Sequence, residues 1–365
     1  MTARYVLLLV AAGSVVARAI ALVLIVPHHG GVTDQLCHFD CGWYERIALS
    51  GYGADADWDN LGSAPHWAFF PLYPLLMRAL VAISGATAQQ GGIAISLVAS
   101  AIMAATIGGE IGRRGRGAVA AMILVLAFPL GLFFSLVYAE ALYGMLVAAS
   151  LAALRRGRPL RAAVWASLAG ATRPAGILLA PVIALERLGA LFAQRRWSAR
   201  VLADSLLPIA IAPLGLSAFV FAQYLAVGDG FAFAHVQILW GRSWSDPFAR
   251  ILHGLMAHDL GGLFGAPSRV WHALWAVIGL LAGGWLLLRR RMAEGWFLLG
   301  TVLLPAATGL DAMPRFVGTN PVFLTMLAER VAALPRWPRW LVLLACVAGQ
   351  LFLLRIWARG AGGVF

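Results

Sequence analysis

The chain contains no lysine. All 28 of its basic side chains are arginine, set against 16 acidic ones, and the formal net charge is +12. Charge of either sign is scarce. Charged residues make up 12% of the 365 positions and apolar ones 61%, well above the roughly 45–50% apolar content of a soluble domain. A soluble fold with so few charges cannot clothe its surface, so the composition points to an all-α polytopic membrane protein with membrane lipids as its surroundings. A basic balance can also signal nucleic acid, but here the arginines come in short bursts between apolar runs. That is the pattern of cytoplasmic loops, and it excludes nucleic acid as a partner.

Cysteine is nearly absent too, with three residues. Cys346 lies in an apolar run and reads as inert packing. Cys37 and Cys41 flank His38 and Asp40. A lone Cys/His cluster without a second half is a weak zinc signal, and a metal site, a disulfide and free thiols all remain open. No cleavable signal peptide, internal repeat, low-complexity tract or soluble domain is visible, so residues 1–365 read as one integral membrane domain.

What the chain does have is apolar runs and one exceptional stretch between the first two of them. Residues 38–74 carry HFDCGWYERIALSGYG, a spacer with Asp55, Asp57 and Asp59, and then HWAFFPLYP. A charged side chain at the bilayer centre costs about 2.5–3.5 kcal/mol, so this stretch faces water. Asp40 reads as a helix N-cap, followed by Trp43, Tyr44, Ile47 and Ala48 on one apolar face and closed by Gly51. The pattern predicts a short helix lying on the membrane surface.

Charge sets the topology. Arginine clusters at 113/114/116, 155/156/158/161, 195/196/200, 289/290/291 and 336/339 hold fifteen of the 28 arginines. All fall on the inner side if residues 68–84, interrupted by Pro71, Pro74 and Arg78, do not span; the positive-inside rule favours that arrangement. The expected crossings are residues 5–26, 92–111, 118–136, 138–154, a short pair 162–172 and 176–188 broken at Arg173–Pro174, then 201–227, 270–288, 296–310, 316–333 and 340–357. That makes about eleven, with residues 27–91 and 228–268 as two large outer loops. Eleven residues cannot cross a core of about 30 Å at about 1.5 Å each, so the short pair is expected to dip towards a cavity. Asp34, Asp40, Glu45, Asp55, Asp57, Asp59, Glu140, Asp229, Asp246, Asp259, Asp311, Arg173, Arg242 and Arg315 then gather on or near the outer face. A transporter more naturally places such groups at the midplane of two related halves.

Each candidate has a functional and a structural reading. Asp40 is either a proton acceptor at the membrane surface or only a cap. Arg315, in DAMPRFVGTNP, either clamps a phosphate in bidentate geometry or snorkels to the interface. His235, Gln237, Trp240 and Arg242, in HVQILWGRSW, either shape a sugar and phosphate pocket or belong to an aromatic belt. Glu140 in VYAEALYG and Arg173 in GATRPAG are ionisable residues at helix ends that either act at the site or support it by pairing with each other. Asp55, Asp57 and Asp59 either hold a divalent ion or form a solvated acidic loop.

Six segments occur in order over most of the chain: FDCGWYERIALSGYG, HWAFFPLYPLL, FPLGLFFSLVYAEALY, LAGATRPAGILL, FAHVQILWGR and MPRFVGTNP. Together they resemble the PIG-V family of mannosyltransferases, relatives of the enzyme that adds the second mannose to GPI anchors. The family's first motif usually reads like W-D-x-x-W/H-[YF]; here Phe39 precedes the aspartate. The resemblance implies a GT-C glycosyltransferase fold with interfacial helices in the first outer loop and an active site on the extracytoplasmic side. It implies a polyprenyl-phosphate sugar donor, typically mannose, with Asp40 at the family's catalytic position. The arginine-rich, lysine-free composition looks bacterial, which implies an inner (plasma) membrane location and a lipid-linked or cell-envelope glycan acceptor.

The expected reaction is an inverting displacement with Asp40 as base. Arg315 and Arg242 neutralise the leaving phosphate; His235, Gln237, Trp240, Trp43, Tyr44 and His66 shape the sugar and acceptor pocket; Glu140 and Arg173 support it. The scheme requires no metal or other cofactor. The alternatives are another polyprenyl-phosphate sugar on the same fold, or a lipid or polyprenol flippase or passive scaffold.

Overall fold

A computed structural model describes residues 3–26, 31–53, 65–115, 117–194, 198–257 and 268–360. Pro27, His28, His29, Asp55, Asp57, Asp59, Arg116, Arg195, Arg196 and Asp259 lie outside the described residues. The fold is all-α, and among the described residues no strand occurs. Among the described residues, five helices are long and apolar enough to cross a membrane, or seven if each of two bent pairs counts as one span. The chain is an integral membrane protein on that ground. The expected eleven crossings also include helices too short for this criterion.

Helix α1 (Ala3–Ile25) stands at the edge of the bundle, with Leu8, Leu9, Val16, Val23 and Leu24 exposed. A polar anchor compensates for its thin packing. Arg18 donates to Ser14 O, to Leu97 O and Ser100 Oγ at 3.1 and 2.8 Å, and to Phe134 O and Ser135 Oγ at 3.3 and 3.5 Å. Neutral acceptors thus satisfy a guanidinium that no carboxylate pairs among the described residues.

The segment expected as the first outer loop holds α2 (Asp40–Ser50) and α3 (Leu72–Ser84). At 13 residues α3 is about 20 Å long, too short to span. Arg78 on it donates to Ala48 O at 2.7 Å and ties it to the end of α2. A capping box at Thr87 and Gln90 then starts α4 (Ala88–Arg113), about 39 Å long.

The expected span 118–136 is broken. Helix α5 (Ala118–Ala127) ends at Phe128, and a 3₁₀ segment, Pro129–Ser135, departs at 79°. Pro129 forces Phe128 into extended backbone and removes a donor. The carbonyls this frees are recovered from the outermost helices: Arg18 serves Phe134 O, and Gln350 Nε2 donates to Leu126 O and Phe128 O at 2.9 and 3.0 Å.

Helices α6 (Glu140–Arg155), α7 (Pro159–Gly170) and α8 (Leu179–Gln194) follow. The expected short crossing 176–188 belongs to a longer helical run, Pro174–Ala193. The expected span 201–227 is bent by 47° at Pro213, between α9 (Ala199–Ile211) and α10 (Leu214–Val227). Then come α11 (Pro247–Leu255), α12 (Arg269–Leu288), α13 (Met292–Ala306), α14 (Met313–Gly318), α15 (Pro321–Ala332) and α16 (Arg336–Ala358).

The two segments expected as outer loops meet. Gln223, fully buried on α10, donates to Trp67 O at 3.0 Å and accepts from Phe233 N at 3.2 Å. Gln89, at the start of α4, bonds Glu45 on α2 at 3.1 Å. The far end of α4 enters an ionic cluster in which Glu110, Glu294 and Glu329 bridge Arg113, Arg114, Arg155, Arg156 and Arg291. The two loops therefore share one end of the bundle, and the described arginine cluster ties four helices together at the other.

Candidate active site

Asp40 is presented by a constrained turn. Cys37 and Cys41 form a disulfide with a Cα–Cα distance of 5.1 Å. Between them Phe39 has φ 53° and ψ −112°, a conformation a bulky side chain adopts only when its surroundings impose it. Phe39, not Asp40, is the N-cap of α2, and no side chain caps this helix. The cap expected of Asp40 is absent because its carboxylate is engaged elsewhere.

It is engaged by Arg315. Helix α14 starts from Ala312 at φ 68° and carries Pro314 in its first turn. Arg315 Nη1 donates to Asp40 Oδ2 at 2.6 Å, and Arg315 Nε lies 3.4 Å from Glu140 Oε1. Glu140 is also paired with Arg173 Nη1. The result is an alternating row, Asp40–Arg315–Glu140–Arg173, drawn from four distant stretches. Alternating the signs in this way offsets the cost of taking these four charges out of water. Aromatic faces complete the enclosure: the Arg315 guanidinium lies 5.5, 5.2 and 5.3 Å from the rings of Phe133, Tyr138 and Phe316, and that of Arg173 lies 5.1 Å from Phe316.

Arg242 stands outside the row. Its polar contact is with Asp311 O at 3.5 Å, and among the described residues no carboxylate lies within 4.0 Å of it. Burial, and next the positive charge of Arg315, hold its pKa below the ordinary arginine value. It is a cation short of counter-charge.

These groups border a cavity of about 480 Å³. Of the sequence-derived candidates, Asp40, Tyr44, Arg173, Gln237, Trp240, Arg242 and Arg315 line it. Four do not. Glu140 is buried behind the two arginines at 2% exposure. Trp43 stacks on the lining ring of Phe69 at 5.8 Å and touches Trp240 edge-on. His66 is buried against Tyr52 and Trp67. His235 is turned outward, its Nδ1 2.7 Å from Asp229 Oδ2, with 70% of its side chain exposed. Asp229 already accepts from Phe231 N at 2.9 Å, and this turn captures the imidazole locally.

Sequence reading missed part of the lining. Tyr143 lines the cavity with a buried hydroxyl that has no hydrogen-bond partner among the described residues. It lies one helical turn beyond Glu140, a spacing that could have flagged it. Thr301 and Asn320, joined by a 2.9 Å bond, also line the cavity. Asn320 caps α15 ahead of Pro321, and the Asn-Pro pair marked that turn.

No protein-family model matches the chain, and a comparison with curated proteins finds no match. Among solved structures, the chain is similar to the oligosaccharyltransferase of Archaeoglobus fulgidus. For its apo form the TM-score is 0.49 and the identity 15%, over 97% of this chain and 56% of that one. For the form of this enzyme, AglB, in complex with an inhibitory peptide and a dolichol-phosphate, the TM-score is 0.43 and the identity 12%, over the same shares. The chain thus spans little more than half the length of the structures it matches.

Proposed function

We propose that this chain is an inverting GT-C glycosyltransferase of the PIG-V type. It moves mannose from polyprenyl-phosphate mannose to a lipid-linked or cell-envelope glycan on the extracytoplasmic side of a bacterial inner membrane. The observation that carries this reading is the pairing of Asp40 with Arg315 on the wall of the cavity. The six ordered motifs supply the family. The described arginine cluster, at the far end of α4 from Asp40, supports an outward-facing site.

The chemistry follows from the residues. Arg315 takes Oδ2 of Asp40 and leaves Oδ1 for a proton. The acceptor hydroxyl gives its proton to Oδ1 as its oxygen attacks the anomeric carbon. The bond from that carbon to the phosphate oxygen breaks, and polyprenyl phosphate leaves with the electron pair. A phosphate needs no general acid on departure, so one carboxylate suffices. The donor carries one negative charge and the product phosphate two. Arg242, a cavity-lining cation with no carboxylate partner among the described residues, is suited to neutralise the charge that grows. Arg315 is already paired with two carboxylates; its role in this scheme is to hold the Asp40 carboxylate in place and aim its free oxygen, a revision of the phosphate clamp expected from sequence.

The test is transfer from a panel of polyprenyl-phosphate sugars into a lipid extract of the source cell, using the purified protein. Transfer of labelled mannose is expected. Transfer of a different sugar keeps the enzyme class and replaces the donor. Binding of polyprenyl lipids without transfer of any sugar overturns the proposal in favour of lipid transport.

A further inference from the structure

Trp357 lies near the end of the last helix, 321 residues from Leu36, which precedes the turn that presents Asp40, and is 2% exposed. Its Nε1–H donates to Leu36 O at 3.0 Å. Its indole meets four rings edge-on or tilted: His38 and Phe39 at 5.7 Å each, Phe133 at 5.4 Å and Tyr138 at 5.7 Å. The first two belong to the turn that ends in Asp40. The other two are the rings over which the Arg315 guanidinium sits. Tyr138 closes the arrangement by donating from its hydroxyl to His38 O at 3.1 Å.

We infer that Trp357 is a positioning residue: it fixes the Asp40-bearing turn against the aromatic bed of Arg315, and so sets the geometry of the ion pair without touching substrate. The inference rests on the reading of Asp40 as the base.

Three observations make the role specific. First, Trp357 is not among the residues that line the cavity, so it reaches the site through other side chains. Second, Phe39 holds φ 53° although the residue is 63% exposed. Core burial of that ring therefore does not hold the backbone there; the disulfide and the contact with Trp357 are the restraints at hand. Third, the two sides reach Trp357 from unrelated elements, the first outer segment and the 129–135 bend with its exit. A single indole spanning both converts two independent placements into one. Its rigid ring and one N–H donor suit this, since a buried Trp both packs and demands a partner for its nitrogen.

The experiment compares steady-state transfer by wild type, Trp357→Phe and Phe39→Gly, with Trp340→Phe on the same helix as a control outside the site. Trp357→Phe keeps a ring and loses the bond to Leu36 O. Phe39→Gly removes the other half of the contact with little loss of core, so the test survives if the Trp variant does not fold. Misplacement of a reacting group by an ångström can cost about a hundredfold, and a loosened turn is expected to lower kcat by about tenfold. KM for the polyprenyl-phosphate donor should stay within about twofold, because the cavity lining is unaltered. A fall in kcat at constant KM in Trp357→Phe or Phe39→Gly, with Trp340→Phe normal, supports the inference. Unchanged kcat in both variants, or a loss in step with KM and thermal stability, overturns it while wild-type transfer still upholds Asp40. Failure of the wild type to transfer any sugar removes the parent reading and this inference with it.

Discussion

Arg315 donates through Nη1 to Oδ2 of Asp40 at 2.6 Å, and its Nε lies 3.4 Å from Oε1 of Glu140. One guanidinium thus answers two carboxylates from different helices. Replacing it by alanine leaves Asp40 without its ion-pair partner and Glu140 with Arg173 alone. Removing one member of a buried pair costs about 3–5 kcal/mol. Arg315→Ala should therefore lower unfolding stability in detergent by that order as well as abolish transfer. Lysine keeps the charge but lacks the fork, so Arg315→Lys should recover only part. Wild-type stability in Arg315→Ala, with donor affinity alone reduced, would return Arg315 to the role of phosphate clamp.

Arg242 should behave oppositely. Lacking a carboxylate partner among the described residues, it contributes little to the fold, while a hydrogen bond to a charged group is worth about 1.5–3 kcal/mol. Arg242→Gln is expected to weaken polyprenyl phosphate binding by about 10- to 100-fold, with the unfolding midpoint unchanged. Equal affinity in the variant and the wild type, by calorimetry or a thermal-shift titration, would contradict the assignment.

Arg18 anchors the outermost helix through carbonyls and hydroxyls of α4 and of the 129–135 bend. Leucine suits lipid but leaves Phe134 O, among the described residues, with the long 3.5 Å contact from Ser100 Oγ. Each buried group left unsatisfied costs about 1–3 kcal/mol, and Arg18→Leu should destabilise by at least that much despite its gain in hydrophobicity. Arg18→Lys should restore part of the loss. A leucine variant as stable as wild type would show that the bend satisfies its own carbonyls.

The disulfide between Cys37 and Cys41 closes a very short loop, for which chain entropy gives a stabilisation of about 2 kcal/mol. Its larger consequence concerns Phe39, which it helps hold at φ 53°. Paired Cys37→Ser and Cys41→Ser substitutions should lower the transfer rate more than they weaken donor binding. A parallel loss of both would place the disulfide in the general fold instead.

Much of the fold was legible because its signals are local. Apolar runs gave helices, and the arginine bursts argued against a span at 68–84 and marked one end of the bundle. Asp40 was legible as a group of interest because a carboxylate after a turn, beside aromatics, is rare in so apolar a chain. Its structural alternative, the helix cap, was wrong, since the competing partner sits 275 residues away and leaves no local trace. The break at Phe128 was missed because Pro129 lies in an otherwise uninterrupted apolar run, and the donors that make the bend tolerable come from Arg18 and Gln350. His235 looked like a sugar ligand from its neighbours; the turn at Asp229 takes it away. Trp357 gave no signal at all: an aromatic near the end of an apolar helix reads as an interfacial anchor, and only the tertiary fold brings four rings and a carbonyl around it.

The central claim is that Asp40 accepts the acceptor's proton. The direct measurement is a single-turnover transfer of labelled mannose from polyprenyl-phosphate mannose by the wild type and by Asp40→Asn, with donor binding measured on the same preparations. Asparagine matches the carboxylate in size and removes its basicity. The expected result is a loss of about a hundredfold or more in the transfer rate, with donor affinity within about threefold of wild type. Transfer by Asp40→Asn at the wild-type rate, or loss of transfer that tracks loss of donor binding or of folding, would contradict the claim.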